Sequence, residues 1–225
     1  MSGILSSSIA RKVAMALSAL FLIFFLIMHL AVNLTSIFSE TLFNDLAHFM
    51  GTNPLIQFVM QPILIFGVVF HFVMGFVLEL KNRRATSVKY AKDNGAANSN
   101  WSSRNMIYSG VVILAFIVLH FLDFWIPELN VKYIQGDVSG FLEGTKDFRY
   151  YEELQHKFIP IWRVVAYVVA FALLGLHLAH GFQSAFQSMG FNNKYTKTVK
   201  AAGNVYSIAI PAGFIIVAVF HHLNH

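Results

Sequence analysis

Long apolar runs separated by short polar segments dominate this chain. Five runs reach about 20 residues, the length that an α-helix needs to cross the hydrocarbon core of a membrane. They cover residues 11–35, 56–80, 105–127, 160–188 and 203–223. Strands of a membrane barrel would instead give short segments of alternating apolar and polar residues. The pattern therefore predicts an all-α integral membrane protein, a single domain over residues 1–225 with five transmembrane helices.

Composition agrees with this class. Hydrophobic residues make up 56% of the 225 residues and charged residues 12%, and the mean hydropathy is +0.60. These values exclude an ordinary soluble domain. The chain has no cysteine, which excludes disulfides, thiol nucleophiles, iron–sulfur ligation and covalent haem attachment through cysteines. Any haem in this chain would be held by histidine or methionine.

Basic residues are distributed unevenly among the loops. Residues 36–55 contain no Lys or Arg, and residues 128–159 are rich in Asp and Glu. Because Lys and Arg gather in cytoplasmic segments, the N-terminus is predicted inside and the C-terminus outside. Orientation explains the basic loops, so no nucleic-acid partner is expected. The residues on the cytoplasmic side are Arg11, Lys12, Lys81, Arg83, Arg84, Lys89, Lys92, Arg104, Lys194, Lys197 and Lys200.

Each of the first four predicted helices carries a histidine deep in its apolar run. At 1.5 Å per residue, His29 and His120 lie about 10 Å below the outer surface, and we name them the outer pair. His71 and His177 lie about 22–26 Å below it, and we name them the inner pair. Layers about 12–15 Å apart leave room for two haems, each clamped between opposing helices. The first four helices are therefore predicted to form a dihaem-binding bundle.

Glycines near the inner pair favour the same interpretation. A macrocycle beside a helix needs a missing side chain one turn from the ligand. Gly75 follows His71 and Gly181 follows His177 by four positions, and Gly67 precedes His71 by four. Each of these residues is thus a candidate to border a haem.

Other interpretations of the histidines remain open. His180 is an alternative to His177 on the fourth helix, although it has Ser184 where His177 has Gly181. A histidine in a membrane helix can also simply join neighbouring helices by hydrogen bonds. A proton relay or zinc transporter would normally place carboxylates at the same depth, and this interior has almost none. No internal sequence repeat stands out. The outer segment 128–159 is long enough for a short surface helix near Tyr150-Tyr151-Glu152-Glu153.

Several short motifs resemble those of a known family. They are Met28-His29-Leu30-Ala31-Val32-Asn33, Ala47-His48-Phe49-Met50, His71-Phe72-Val73-Met74-Gly75, His120-Phe121, and His177 through Gly181 followed by Ser184 and Gly190. Over nearly its whole length, the chain resembles the dihaem cytochrome b membrane anchor of succinate dehydrogenases and fumarate reductases, in its single-polypeptide, five-helix form. In that family the matching histidines ligate the haems, which favours His177 over His180.

This resemblance implies a function in bacterial respiration. The chain would be the anchor of a succinate:quinone oxidoreductase in the bacterial inner membrane. A flavoprotein subunit with covalent FAD and an iron–sulfur subunit would lie on the cytoplasmic side. Two haems b would carry electrons between the iron–sulfur subunit and menaquinone near the outer face. The alternatives are the cytochrome b anchor of a hydrogenase or formate dehydrogenase, and a haem-free transporter.

Quinone chemistry moves protons with electrons, so its site needs titratable groups near the outer haem. The candidates are His48, Glu40, Asp45 and Asp123.

Haem propionates need cationic or hydroxyl partners. Arg11, Lys12, Ser103 and Arg104 are candidates near the inner haem, and Arg163 near the outer one. The chain departs from some fumarate-reducing relatives, which carry a glutamate of a proposed proton path two residues before the fourth-helix ligand. Here that position is Gly175, which puts such a path in doubt.

Overall fold

Helices make up most of the protein. The computed structural model describes residues 7–85, 106–142, 144–191 and 193–225. Five of the helices in these ranges are long and apolar enough to cross a membrane. This confirms the predicted all-α class with five membrane-length helices and is compatible with a multi-pass membrane protein. In chain order the helices are α1 (Ser8–Phe38), α2 (Glu40–Thr52), α3 (Gln61–Ala85), α4 (Met106–Ile134), α5 (Tyr150–Phe158), α6 (Ile161–Ser188) and α7 (Thr196–Leu223). The five long helices are α1, α3, α4, α6 and α7.

Two helices extend beyond their predicted apolar runs. α4 continues to Ile134, past the predicted end at 127, and α7 begins at Thr196 rather than at 203. α4 continues because Pro127 lies in the first turn of an α-helical segment that follows a π turn, where its missing N–H breaks no hydrogen bond. α7 begins early because lysine and alanine, both good helix formers, extend it beyond its apolar part.

The polar segments between the long helices also contain helices. The short surface helix predicted within 128–159 is confirmed as α5, whereas α2 was not predicted. α2 begins with a side-chain cap, because Ser39 Oγ accepts a hydrogen bond from the backbone N–H of Leu42 at 3.2 Å. We use "outer end" for the end of the protein that holds α2 and α5.

Four of the long helices form a ring. Close backbone approaches join α1 to α3, α3 to α4, α4 to α6, and α6 to α1. α1 therefore lies opposite α4 across the ring, and α3 lies opposite α6. α7 packs outside this bundle against α6 and α1, and Phe214 of α7 belongs to the same buried cluster as Leu30, Tyr167 and Phe171.

An ion-pair network fastens the outer end to α4. Glu128 accepts from Arg149 Nη2 at 2.5 Å and pairs with Lys132 Nζ at 2.7 Å. Arg149 also donates to Glu153 of α5 at 2.6 Å, and Lys132 donates to the carbonyl of Gly51 in α2. Because Lys132 and Arg149 are buried, these contacts tie α2, α4 and α5 into one layer over the bundle.

Candidate functional site

The outer pair lies between α1 and α4. The ring centroids of His29 and His120 are 5.8 Å apart, with an interplanar angle of 80°. Phe25 stacks on His29 with centroids 5.2 Å apart, and Phe116 stacks on His120 at 5.9 Å. Each imidazole is thus packed against an aromatic ring one turn earlier on its own helix.

The inner pair lies between α3 and α6. The ring centroids of His71 and His177 are 6.4 Å apart, with an interplanar angle of 66°. Ser18 Oγ of α1 lies 3.1 Å from His71 Nδ1, and Ser109 Oγ of α4 lies 3.2 Å from His177 Nδ1. The ring that faces His71 is therefore that of His177, and His180 lies one turn further along α6.

The two layers can be measured along the helices. Ser18 and His29 are eleven residues apart on α1, and Ser109 and His120 are eleven apart on α4. At 1.5 Å per residue, each interval corresponds to about 16 Å. Because both serines contact the inner pair, this interval gives a layer separation close to the 12–15 Å that the sequence predicts.

The spacing within each pair fits one metal ion between two imidazoles. Two metal–nitrogen bonds of about 2 Å place the ring centroids roughly 6 Å apart, and the observed values are 5.8 and 6.4 Å. Within the described ranges, no group of three or more His, Cys, Asp or Glu side chains could hold a metal ion. A bare zinc ion takes three or four protein ligands, whereas haem iron needs only axial ones. The pairs therefore fit haem iron better than a bare ion.

The glycines near the inner pair border different neighbours. A Cβ on Gly75 would lie 3.7 Å from Met15 Cε, and one on Gly181 would lie 3.4 Å from Met106 Cε. Both spaces are thus bordered by the movable end of a methionine. A Cβ on Gly67 would lie 2.9 Å from the ring of Phe21, so this glycine makes room for an aromatic side chain of α1.

His48 belongs to an aromatic cluster at the outer end. Its ring stacks on Phe148 with centroids 4.1 Å apart, and its Nδ1 lies 3.4 Å from Tyr150 Oη. Gly140 has a φ of +70°, and a Cβ there would lie 2.5 Å from Tyr150 Oη. Only glycine therefore leaves room for these side chains at that turn.

Burial favours the neutral form of His48. Burial lowers the pKa of His48 and Lys132 lowers it further, while Glu128 and Asp45 act in the opposite direction. Burial, with Glu128 nearby, raises the pKa of Tyr150 to about 12. At neutral pH, His48 is thus an imidazole that can accept a proton, and Tyr150 keeps its own.

Asp123 and Arg163, which were predicted for different roles, contact each other. Asp123 Oδ1 forms an ion pair with Arg163 Nε at 3.2 Å, and Tyr167 Oη donates to Asp123 Oδ2 at 2.8 Å. The centroids of the Tyr167 and His120 rings are 6.4 Å apart. The buried carboxylate of Asp123 is therefore connected to the outer pair through one aromatic side chain.

The predicted quinone-site residues are spread over the outer end. Glu40 and Asp45 are exposed on α2, and Asp123 is buried in α4. His48 of α2 packs against Phe148 and Tyr150. The structure therefore separates the surface carboxylates from the buried one.

The predicted propionate partners near the inner pair are only partly covered by the structure. Lys12 is exposed and Arg11 is half-buried near the start of α1. Ser103 and Arg104 lie outside the described residues.

Sequence reasoning missed Ser18, Ser109 and Tyr167 at these sites. A signal for the serines was present, because one spaced pattern occurs in both α1 and α4. The shared pattern consists of four identical residues at one spacing. The positions with equal spacing are Met15 and Met106, Ser18 and Ser109, Phe25 and Phe116, and His29 and His120.

No protein family model, curated protein or solved structure matches this chain. Its site is therefore interpreted from its own residues.

Proposed function

We propose that this chain is the membrane-anchor cytochrome b subunit of a succinate:quinone oxidoreductase. His29 and His120 hold one haem b, and His71 and His177 hold the other. The pairing carries this proposal, since histidines of opposing helices meet in two layers at 5.8 and 6.4 Å. Histidines that each joined helices separately by hydrogen bonds would not be expected to meet in two opposing pairs.

Each haem, when bound, would act as a one-electron carrier. Two haems at different depths would carry electrons between the two sides of a membrane. The chain's own residues bind and orient these groups. The imidazoles would supply the nitrogen atoms that hold the iron, while Phe25 and Phe116 hold the outer imidazoles in place by stacking. The apolar surroundings keep water away and thereby set the polarity around the iron.

The outer end is the proposed place of proton exchange with menaquinone. The imidazole of His48 can accept a proton, and its contact with Tyr150 fixes its orientation. The carboxylate of Asp123 lies nearer the outer pair, with Tyr167 between them. His48 near the surface and the buried Asp123 are thus two separate groups proposed to take part in proton transfer.

The proposed orientation follows the basic residues. The end opposite α2 and α5 bears Lys12, Lys81 and Lys194 and faces the cytoplasm of a bacterium, with the chain in the inner membrane. There it docks an iron–sulfur subunit, which contacts a flavoprotein subunit. FAD and the iron–sulfur clusters belong to those partners.

A haem assay on the chain purified with its partners tests this function. A reduced-minus-oxidised spectrum with pyridine haemochromogen quantitation is expected to give two b haems per chain. His29→Ala and His177→Ala are each expected to remove at least one haem. His156→Ala changes an exposed histidine of α5 and should keep both. A parent protein without haem would overturn the proposal and leave a haem-free transporter.

The co-purified subunits test the choice of enzyme. A flavoprotein with covalent FAD and succinate-dependent quinone reduction are expected. Hydrogenase or formate dehydrogenase subunits in its place would contradict the assignment to succinate oxidation while leaving the haem sites intact.

A further inference from the structure

Two serines contact the inner pair in the same way, one on each neighbouring helix. Ser18 Oγ donates to the carbonyl oxygen of Met15 at 2.7 Å and also lies 3.1 Å from His71 Nδ1. Ser109 Oγ donates to the carbonyl oxygen of Met106 at 2.9 Å and lies 3.2 Å from His177 Nδ1. The two contacts are equivalent, although they lie 91 positions apart in the chain.

These contacts determine which nitrogen of each imidazole carries the proton. A serine hydroxyl has one hydrogen, and a carbonyl oxygen can only accept. When each hydroxyl hydrogen is directed to the carbonyl oxygen, the contact with the histidine is made by its Nδ1–H, which donates to the serine oxygen. A neutral imidazole with its proton on Nδ1 has a lone pair on Nε2. His71 and His177 are therefore both held in the form that can bind a metal through Nε2.

The outer pair has a different environment. The amide nitrogen of Asn33 lies 3.5 Å from His29 Nδ1 but donates to the carbonyl oxygen of His29 itself at 2.8 Å. His120 Nδ1 is buried without a hydrogen-bond partner in the described part of the chain. A serine oxygen from a neighbouring helix thus distinguishes the inner pair from the outer pair.

We propose that Ser18 and Ser109 are positioning residues that fix His71 and His177 as Nδ1-protonated axial ligands and tune the inner haem. This rests on the proposed function, because it requires haem iron between the two histidines. A hydrogen bond from Nδ1–H makes Nε2 a stronger electron donor to the iron. A stronger donor stabilises the oxidised iron, so these serines lower the reduction potential of the inner haem and leave the outer haem unchanged.

Redox titration of the purified holo-complex, followed by the α-band absorbance, tests this inference. Ser18→Ala and Ser109→Ala are expected to keep both haems and to move one of the two reductive steps to higher potential. Both variants must move the same step, because both serines contact the same haem. The double variant should move that step further. The electron paramagnetic resonance signal of the same ferric haem should shift with it.

Two further variants separate the hydrogen bond from packing. Ser18→Thr and Ser109→Thr retain a hydroxyl and are expected to restore the parent potential. Ser207→Ala is the matched control, because Ser207 is buried in a long helix and donates to the carbonyl of Asn204 at 3.0 Å. Ser207→Ala should leave the potentials of both reductive steps unchanged.

The outcomes distinguish this inference from the proposed function on which it rests. A parent complex without haem overturns both. Two haems whose steps stay in place in both alanine variants overturn the serine role alone, as would steps that move separately in the two variants. Loss of haem in an alanine variant supports the inference if the threonine variant restores haem, and overturns it if threonine fails as well.

Discussion

The backbone carbonyl oxygen of Ser207 in α7 lies directly against Gly175 in α6. A Cβ placed on Gly175 would come within 3.0 Å of that oxygen and within 3.4 Å of Pro211 Cγ. Pro211 has no N–H, so the carbonyl one turn earlier is released from the α-helical pattern. The close approach of α6 and α7 therefore depends on a missing side chain at residue 175.

We expect Gly175→Ala to destabilise the protein by about 1–3 kcal/mol, because neither the carbonyl nor the proline ring can move without shifting α7. Gly175→Glu should lower the stability further, because its side chain is larger. Thermal unfolding of the detergent-solubilised protein measures both. Ala172→Val is the control, since it adds volume at an exposed position of the same helix. Equal stability of Gly175→Ala and the parent would show that α7 is not held at this point.

Asp123→Asn should also lower stability, by roughly 2–4 kcal/mol, because it leaves Arg163 without its carboxylate partner in a largely buried site. Tyr167→Phe removes only the hydrogen bond to Asp123 and should cost about 1.5–3 kcal/mol. A double-mutant cycle measured by thermal unfolding checks the pair. A coupling near zero between residues 123 and 167 would contradict the 2.8 Å contact.

Gly140→Ala should destabilise the protein in two ways, by backbone strain and by steric contact with the side chains around His48. Gly140 and Gly136 have φ of +70° and +78°, so alanine is strained at both. A Cβ at Gly140 would meet Tyr150 Oη and His48 Nδ1, whereas one at Gly136 meets nothing within 4 Å. The loss of melting temperature should therefore be larger for Gly140→Ala. Equal losses would mean that only the backbone conformation matters.

His48 should make the outer end less stable in mild acid. Burial holds its folded-state pKa below the ordinary value of 6.5. As the pH falls below 6.5, the unfolded segment binds a proton that the folded one does not, so stability falls until the pH passes the folded pKa. The hydrogen-exchange protection factors of residues 144–158, in which the intrinsic pH dependence is divided out, should therefore fall from pH 7.5 to 5.

His48→Phe tests the source of this effect, because phenylalanine can still stack on Phe148 but cannot titrate. His48→Phe should remove most of this pH-dependent loss of protection. His156→Phe, at an exposed position of α5, should leave it in place. If the parent and His48→Phe depend on pH equally, another group controls this segment.

The sequence predicted the features that depend on periodicity and length. Five apolar runs predicted five helices, and counting residues placed His29 with His120 and His71 with His177, the pairs that the structure brings together. These quantities follow from helix geometry alone. Their role as iron ligands stays a prediction.

Features that depend on the facing direction of side chains were harder to predict. Ser18 is an ordinary helix residue until the structure places His71 beside it. Asp123 and Arg163 were assigned separate roles because residue spacing does not show that α4 and α6 bring them together. α4 extends beyond the apolar run predicted at 105–127 because the π turn before Pro127 allows the helix to continue, which residue spacing does not show.

The π turn Phe121–Trp125 fits one additional residue into α4 directly after His120. Up to that histidine, α1 and α4 share one spacing, and beyond it the side chains of α4 are rotated by about 100° relative to an unbroken helix. Asp123 lies within this offset segment. A single inserted codon would therefore have been sufficient to turn an acidic residue toward Tyr167 without moving the histidine. One residue inserted at this turn thus changes which side chains of α4 face the outer end and leaves the spacing of the two histidine layers unchanged.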